Sequence, residues 1–494
     1  MSRITLNELD QQTYDVVIIG AGAVGCATAR ELSGRGFRVL LLERADIASG
    51  TSSRSSRMLY SGLGYLAVRY PLWQMVLRPL DIFQRLRYTS AIMRCRAELA
   101  IEMPEHLTKH RFHYPFRSQD RYPPWLVNLG FQTVEALGFW KIPLSYRRLT
   151  KSQAEYESSL VKDLNPEVNS VGVFNEYMYA WPERICVDTA LDAEKRGATI
   201  RTYTEVQGIE RLNEMWNIQL KENTPGCEGH ATVQTKLVIN SAGPWVDHVP
   251  GANGDKPRVL GVKGVNVMIR LPDKYKGQGL EAFSSKGEPF YVFPWRDYHF
   301  IGPTETVFKA NPDTVQVEEH EIDYILNEMN ILFPDLKLSK KDVHHCWCGV
   351  RPTSTVDGKN SVLHIRVSEH SSKKGIITVT GSTIMLHRHA ARLLAKAVEK
   401  KLGKRNQAPI GLINGTRINL DEIESIIQNE HVVRLVDLMR RRLRDGLNPD
   451  LGFNRAEELS FSAAQILGWS EEQRQQELAF FKENTQAVYQ KLPL

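Results

Sequence analysis

An α/β fold is predicted by three features of the sequence. A β-branched run, Tyr14–Ile19, meets glycines at Gly20, Gly22 and Gly25 and continues through the small and apolar residues Ala27, Ala29 and Leu32. A second apolar run, Arg38–Leu42, ends at Glu43, eighteen residues after Gly25. Near the other end, Gly375–Gly381 reads as a buried strand running into a helix over 384–402. The first two runs form a strand, a tight turn, a helix and a second strand, with an acid at its tip. In such a unit the glycines at 20, 22 and 25, with Ala21, Ala23 and Val24 between them, let the backbone approach a pyrophosphate at a helix N-terminus. The carboxylate of Glu43 then accepts hydrogen bonds from a ribose. The flanking strand, the helix and the spaced acid together carry the dinucleotide reading over that of a structural glycine turn. The fingerprint does not by itself separate FAD from NAD.

Composition narrows the class without choosing the chemistry. The chain has 494 residues, 42% of them hydrophobic and 24% charged, which excludes disorder and collagen-like structure and suggests two or three domains. Its net charge of +6 is unevenly placed: sixteen Arg/Lys against six Asp/Glu lie between Arg54 and Lys151, an excess of ten, so the remainder is net negative by four. The six cysteines are scattered. Only Cys346 and Cys348 are close, with no second pair to complete a metal site, so buried strand thiols and a reducing compartment are expected. The first residues lack the apolar stretch of a secretory signal, and no segment reaches the length of a membrane-spanning helix. Any membrane contact is therefore expected from one side.

The loop after Glu43, Ser49–Arg57, is rich in hydroxyls and carries Arg54 and Arg57. It suits phosphate contacts beside a flavin, the competing reading being an exposed linker. Here a family resemblance enters. Asp15–Gly25, Leu42-Glu43-Arg44, Thr51-Ser52-Ser53-Arg54-Ser55-Ser56 and Gly62-Leu63-Gly64-Tyr65-Leu66 resemble the FAD-dependent glycerol-3-phosphate dehydrogenases, which are D-amino-acid-oxidase-like flavoproteins. Asn240–Val246, Val292–Trp295, Gly302–Glu305, Gly349–Pro352, Gly375–Gly381 and Glu430–Phe481 are similar to further elements of that family. The resemblance implies an FAD-binding Rossmann-like domain over 14–66, 150–250 and 340–402. It also implies an inserted antiparallel β-sheet substrate domain at 251–339 and a C-terminal helical domain at 406–494. It assigns cofactor contacts to Gly20–Gly25, Glu43, Arg44, Thr51, Ser52, Ser53, Val206, Ala242, Gly243, Arg351, Gly381, Ser382 and Thr383.

The departures from the family pattern are specific. A family histidine is replaced by Tyr60 and an active-site arginine by Gly64; Lys-Gly-x-His becomes Lys263-Gly264-Val265-Asn266; and Gly-Gly-Lys-Leu-Thr-Thr-Tyr-Arg becomes Gly381–Arg388. Two cationic groups expected near a substrate phosphate are gone, at about 1.5–3 kcal/mol each for charge-assisted contacts. Arg351 survives as the leading substrate contact, its fork suited to a carboxylate or phosphate, and Arg366 stands where the family has another arginine. Tyr65 is expected to line the pocket. For the proton of a secondary alcohol, His387, four residues after Thr383 on an expected common helix face, and Tyr60 are the candidates, with Glu305 behind them.

Segment 67–149 reads as a basic, aromatic insertion. Trp125–Phe139 carries one charged residue, Glu135, and is flanked by Arg117, Arg121, Lys141, Arg147 and Arg148, the pattern of a helix lying in an anionic membrane surface. A core helix is the alternative. The expected enzyme is thus an FAD-dependent dehydrogenase of a polyol phosphate, cytoplasmic and peripheral on the inner face of the membrane. Its expected partners are a small-molecule substrate, a quinone that takes the electrons and a second copy of the chain, with no metal and no nucleic acid. The alternatives are a flavin oxidase of a non-phosphorylated hydroxy or amino acid and a non-catalytic flavin-binding protein.

Overall fold

A computed structural model describes the chain except for residues 1–2, 69, 119, 121, 253, 255, 357–358, 362–364, 406–421 and 491–494. Arg121 of the expected basic flank therefore lies outside the described residues, as do the first and last parts of the expected C-terminal domain. The chain divides into two compact units: Met1–Ser53, Trp181–Gly261 and Arg351–Ala487 form the first, and Arg54–Ala180, Val262–Val350 and Val488–Leu494 the second.

The first unit is built on a parallel sheet. Ile376–Thr380, His230–Asn240, Thr13–Ile19, Val39–Leu42 and Thr199–Arg201 lie side by side in that order, and Arg366–Glu369 joins antiparallel at one edge. The antiparallel pair Thr204–Leu212 and Met215–Glu222 continues from His230–Asn240. Six consecutive residues of Thr13–Ile19 are buried, the signature of a strand covered on both faces. Val16 and Ile18 share one core with Ala29, Leu32, Ala190 and Leu394, from the helices Ala23–Gly34, Pro182–Lys195 and His387–Leu402. Val17 and Ile19 share the other with Trp216, Ile218 and Leu220. Alternation of side chains along the strand thus feeds two cores at once.

The C-terminal helices belong to this first unit. Phe453–Leu467 ends at Gly468, whose φ of +71° makes it a left-handed cap. Ser470 and Gln473, whose types and three-residue spacing predict a capping box, form one: Ser470 N–H donates to Gln473 Oε1 at 2.9 Å, and Gln473 N–H to Ser470 Oγ at 3.2 Å. Val432–Leu443, which carries an apolar stripe in the sequence, is not one continuous α-helix. Leu435–Asp437 gives way to a π-turn over Leu438–Arg442 that holds Arg440, Arg441 and Arg442 buried in succession. Two of them enclose the buried carboxylate of Asp46, with Arg442 Nη2 at 2.8 Å, while Arg441 also reaches Asp437 at 2.6 Å. Together these arginines hold Asp46 below the usual carboxylate range despite its burial.

The second unit is a mostly antiparallel sheet. Residues 262–269 are followed by Tyr298–Gly302, Pro289–Trp295, Gln278–Phe283, Leu107–Arg117, Val168–Tyr179 and Met58–Leu59. One pair, Gln278–Phe283 with Leu107–Arg117, is parallel. The segment 67–149, expected as a separate insertion, supplies a central strand of this sheet. Residues 54–66, 150–180 and 340–350, expected in the FAD domain, also fall in this unit. The spacing of Ile322, Ile325, Leu326 and Met329 predicts a helix over Glu318–Phe333 with those residues on one face; the helix runs over Glu319–Leu332 and packs the four residues against Val267, Leu280 and Val292 of the sheet.

Candidate functional site

Two sites stand out, one in each unit. In the first, the turn from Thr13–Ile19 into Ala23–Gly34 is closed to side chains at Gly20 and Gly25. A Cβ at Gly25 would lie 1.8 Å from the Gly20 carbonyl oxygen, and one at Gly20, where φ is +99°, 3.0 Å from Ala242 Cα. Glu43 accepts from Ala21 N–H at 2.8 Å and from Ala45 N–H at 3.1 Å, so the acid at the tip of the second strand braces the glycine turn, and burial raises its pKa. Thr51–Ser53 forms a single 3-10 turn folded onto this structure. Ser52 Oγ accepts from Ala23 N–H at 3.0 Å in the first turn of the helix, and Ser53 Oγ donates to the Ala48 carbonyl. This part of the hydroxyl-rich loop is ordered by the helix N-terminus. The guanidinium of Arg44 lies over the Trp245 ring at 5.1 Å.

The other expected cofactor residues surround the same sheet. Ala242 N–H donates to Asn240 Oδ1 at 3.2 Å, and Gly243, at φ +58°, opens the turn Gly243–His248. Val206 is buried and stands where the register of its strand pair shifts before Gly208. Gly381, at φ +75°, donates to the Pro352 carbonyl at 2.8 Å next to Arg351, and Thr383 has its Oγ1 buried with no hydrogen-bond partner among the described residues. A backbone turn without room for Cβ atoms at Gly20 and Gly25, placed at a helix N-terminus and followed by a spaced acid, fits the diphosphate and ribose of an adenine dinucleotide.

Three expected substrate residues take positions that the sequence did not foresee. Thr383 is extended, with φ −103° and ψ 165°, and the helix begins only at His387, so the two do not share a helix face. The His387 ring is 1% exposed, its Nδ1 lying 2.5 Å from the Ile384 carbonyl oxygen. A pairing of residues four apart requires both to be helical. Arg366 is exposed on an edge strand and donates to the Thr355 carbonyl at 3.0 Å. Arg351 is half-buried in the strand Val343–Val356.

The site in the second unit centres on Tyr60. Its hydroxyl donates to Glu281 Oε1 at 2.8 Å and accepts from Gly64 N–H. A Cβ at Gly64 would sit 2.9 Å from that same hydroxyl, so the tyrosine that stands for a family histidine fills the space beside the glycine that stands for a family arginine. The two departures are therefore one packing change. Tyr65 and Tyr291 meet the Tyr60 ring at centroid distances of 6.1 and 5.9 Å, and Tyr65 packs edge-on against Tyr88 at 5.1 Å. Glu281 is pushed up to about 8, chiefly by burial. Beside it Glu176 accepts from Ser61 N–H at 2.8 Å and pairs with Arg96, whose Nε lies 3.4 Å away. Glu281 was missed from the sequence. Its only trace there is a lone acid in the apolar strand Gln278–Phe283. Of the other altered pattern, Lys263 is committed to Glu318 and Glu321 at 2.7 and 2.8 Å, and Asn266 is buried.

These features define the class of protein. Residues 15–397 match the profile of the FAD dependent oxidoreductase family (DAO), and the chain belongs to that family. Its cofactor is FAD. The chain is 28% identical over 423 residues to a glycerol-3-phosphate dehydrogenase of Synechocystis sp., covering 81% of this chain and 72% of that protein. Among solved structures it is similar to a glycerol-3-phosphate dehydrogenase from Bacillus halodurans complexed with FAD. That match has a TM-score of 0.75 and 19% identity, and covers 98% of this chain and 96% of the other. An L-alpha-glycerophosphate oxidase from Mycoplasma pneumoniae with FAD bound superposes at a TM-score of 0.59 with 18% identity, over 82% and 98% of the two chains.

Proposed function

We propose that this chain is an FAD-dependent dehydrogenase that oxidises a secondary alcohol of a polyol phosphate and passes the electrons to a quinone. The observation that carries the reading is the likeness to the Synechocystis dehydrogenase over 81% of the chain, joined to a glycine turn closed to side chains at Gly20 and Gly25. When bound, FAD supplies the hydride acceptor, at flavin N5. The chain's own residues hold and orient. Gly20–Gly25 and Glu43 take the diphosphate and ribose; Arg44, Thr51, Ser52, Ser53, Val206, Ala242, Gly243, Gly381, Ser382 and Thr383 complete the cofactor contacts; and Arg351 takes the substrate's anionic group. Anaerobic mixing of the FAD-loaded protein with glycerol 3-phosphate, longer polyol phosphates and hydroxy acids tests this. Bleaching of the oxidised flavin band by a polyol phosphate is expected. A flavin that dithionite reduces but no polyol phosphate reduces overturns the reading.

A second reading, a flavin oxidase of a non-phosphorylated hydroxy or amino acid, is favoured by one observation: the space beside Gly64 is taken by a neutral phenol and a buried acid in place of a cation. Peroxide released in turnover with a hydroxy or amino acid selects it.

The cytoplasmic face of an anionic membrane is the proposed location, with the chain peripheral and paired with a second copy. No helix among the described residues is long and apolar enough to cross a membrane. The helix Pro124–Leu137 divides its faces: Val127, Phe131 and Val134 are buried, with Phe131 stacked on Tyr146 at 4.0 Å, while Trp125 and Leu129 are exposed. One side of this helix is thus core and the other is exposed. Beyond it Phe139 and Trp140 are exposed, as are Trp73, Val76, Leu77, Leu80 and Phe83 in and before the adjoining helix Pro79–Glu102. Exposed aromatics beside Arg78, Arg87, Lys141 and Arg148 suit headgroup depth on anionic lipid. Co-sedimentation with phosphatidylglycerol vesicles, reduced by Trp125→Ser with Trp140→Ser, is the expected result; equal pelleting of the variant removes this surface from the account.

A further inference from the structure

Three of the segments expected to hold the cofactor, all within the first unit, meet on the indole of Trp245. The ring stands on a rigid base. Trp245 lies in the turn Gly243–His248, and its N–H donates to the Ala242 carbonyl at 3.0 Å. Asn240 ties the turn twice, with Oδ1 accepting from Ala242 N–H at 3.2 Å and Nδ2 donating to the Val246 carbonyl at 2.8 Å. Asp247 anchors it again by accepting from Arg258 N–H at 2.9 Å and from Val259 N–H at 3.1 Å. The edge of the indole meets the loop after Glu43. A Cβ at Gly50 would lie 3.0 Å from Cζ3 and 3.2 Å from Cη2 of the ring, so the loop backbone rests directly against it. The Gly50 carbonyl accepts from Ser53 N–H at 3.1 Å, and the same short loop brings Ser52 Oγ to Ala23 N–H at 3.0 Å. The indole also carries Arg44, whose Cζ lies over the ring 5.1 Å from its centroid.

The backbone at Arg44 is fixed from both sides. The Glu43 carbonyl accepts from Thr204 N–H at 2.8 Å, the Arg44 carbonyl from Asn223 Nδ2 at 3.2 Å, and the Ala45 carbonyl from Tyr203 N–H at 2.9 Å. The Arg44 residue is nevertheless exposed, and an exposed arginine has wide rotamer freedom to lose when it binds. The indole removes part of that freedom before a ligand arrives. Arg44 directly follows the ribose acid Glu43, so its planar cation stands toward the adenosine diphosphate half of the dinucleotide. Resting on the reading of Arg44 as a cofactor contact, we propose that Trp245 is a positioning residue for FAD. It holds the Arg44 guanidinium ready for the adenosine diphosphate half, and Gly50 stands where it does because a Cβ there would press on the ring. Preference for the dinucleotide follows, since FMN lacks the half that Arg44 meets.

The test titrates FAD with the FAD-depleted full chain, following the quenching of flavin fluorescence, with ADP as competitor. Flavin reduction by a substrate plays no part, so the result is independent of which alcohol the enzyme oxidises. Arg44→Gln should weaken FAD and ADP alike by about tenfold or more, the loss of a charge-assisted contact. Trp245→Leu should weaken both by about 2–5-fold, the worth of a partly exposed cation–π contact, and should have no further effect in the Arg44→Gln chain. Trp245→Phe keeps an aromatic face and should bind FAD close to wild type. Gly50→Ala should weaken FAD by pressing on the indole, and adding Trp245→Phe, which lacks the outer ring edge, should restore it. At saturation the absorption spectrum of the bound flavin should be unchanged in every variant, because the change acts on the other half of the cofactor; general loss of structure would alter it. A folded Trp245→Leu chain with wild-type affinity, or with the same fold loss whether or not Arg44 is present, overturns the positioning role and leaves Arg44 as a cofactor contact. Unchanged affinity of Arg44→Gln for FAD and ADP overturns the proposal together with that contact, while the glycine turn keeps its role. Should Trp245→Leu not fold, a loss in Gly50→Ala that persists undiminished in the Arg44→Gln chain overturns the proposal by itself.

Discussion

Gly64→Ala adds one methyl group where an ideal Cβ would stand 2.9 Å from the Tyr60 hydroxyl. The hydroxyl cannot step aside cheaply, since it is held by Glu281 at 2.8 Å and by the Gly64 amide itself. Moving it gives up hydrogen bonds worth about 1 kcal/mol each and leaves the buried Glu281 without its donor, about 1–3 kcal/mol more. Ala in place of Gly within the short helix Leu63–Leu66 returns up to about 1 kcal/mol. The net cost should be about 2 kcal/mol. In a Tyr60→Phe background the nearest remaining ring atom, Cζ, is 3.7 Å from the added methyl, an ordinary contact, so the same substitution should be neutral or slightly stabilising. Denaturant midpoints of the four FAD-loaded proteins close a double-mutant cycle with an expected coupling of about 2 kcal/mol. Additivity within about 0.5 kcal/mol would refute the claim that Tyr60 and Gly64 are one packing change.

Gly25→Ala should abolish retention of FAD on gel filtration, because its methyl would overlap the Gly20 carbonyl 1.8 Å away; a yellow, fully loaded variant contradicts the cradle. Asp46→Asn should destabilise the protein by about 3–5 kcal/mol at neutral pH, since Arg441 and Arg442 lose their buried counter-charge. The depressed pKa of Asp46 makes that contribution present above the ordinary carboxylate range and lost as the pH falls through the lower folded value, so wild type and variant should converge in acid. Glu281 has the opposite sign: its folded pKa is raised, so the native state binds the extra proton, and stability should fall as the pH rises from the ordinary carboxylate range to about 8. Glu281→Gln should flatten that part of the curve measured by thermal unfolding, and an unchanged slope would count against burial as the cause of the shift.

Local signals were legible wherever the chain's near neighbours decide the structure. Gly20, Gly22 and Gly25 lie within six residues, and their steric demand is written in their spacing. The same holds for the Ser470/Gln473 cap and for the period of Ile322, Ile325, Leu326 and Met329. His387 failed as a partner of Thr383 for a local reason that periodicity does not encode: Thr383 is extended and a 3-10 turn follows it, so the helix begins late. The π-turn at Leu438–Arg442 failed for a distant one. Two of its three arginines, Arg441 and Arg442, are held by a carboxylate at position 46, nearly four hundred residues away in the chain.

By itself the sequence determined that a dinucleotide turn opens the chain, that the fold is α/β, and that two cationic positions of a related family are missing, because each of these depends on residue type at short range. Only the tertiary structure decided what stands in their place. Tyr60 and Glu281 are more than two hundred residues apart, and neither is unusual alone; their meaning arises when the strands Met58–Leu59 and Gln278–Phe283 enter one sheet and burial sets the charge of the acid. The same sheet drew the basic, aromatic segment into the second unit, so that one side of its helix became core and the other remained exposed. Desolvation and pairing act through space, and they are properties of the folded neighbourhood that no stretch of chain carries on its own.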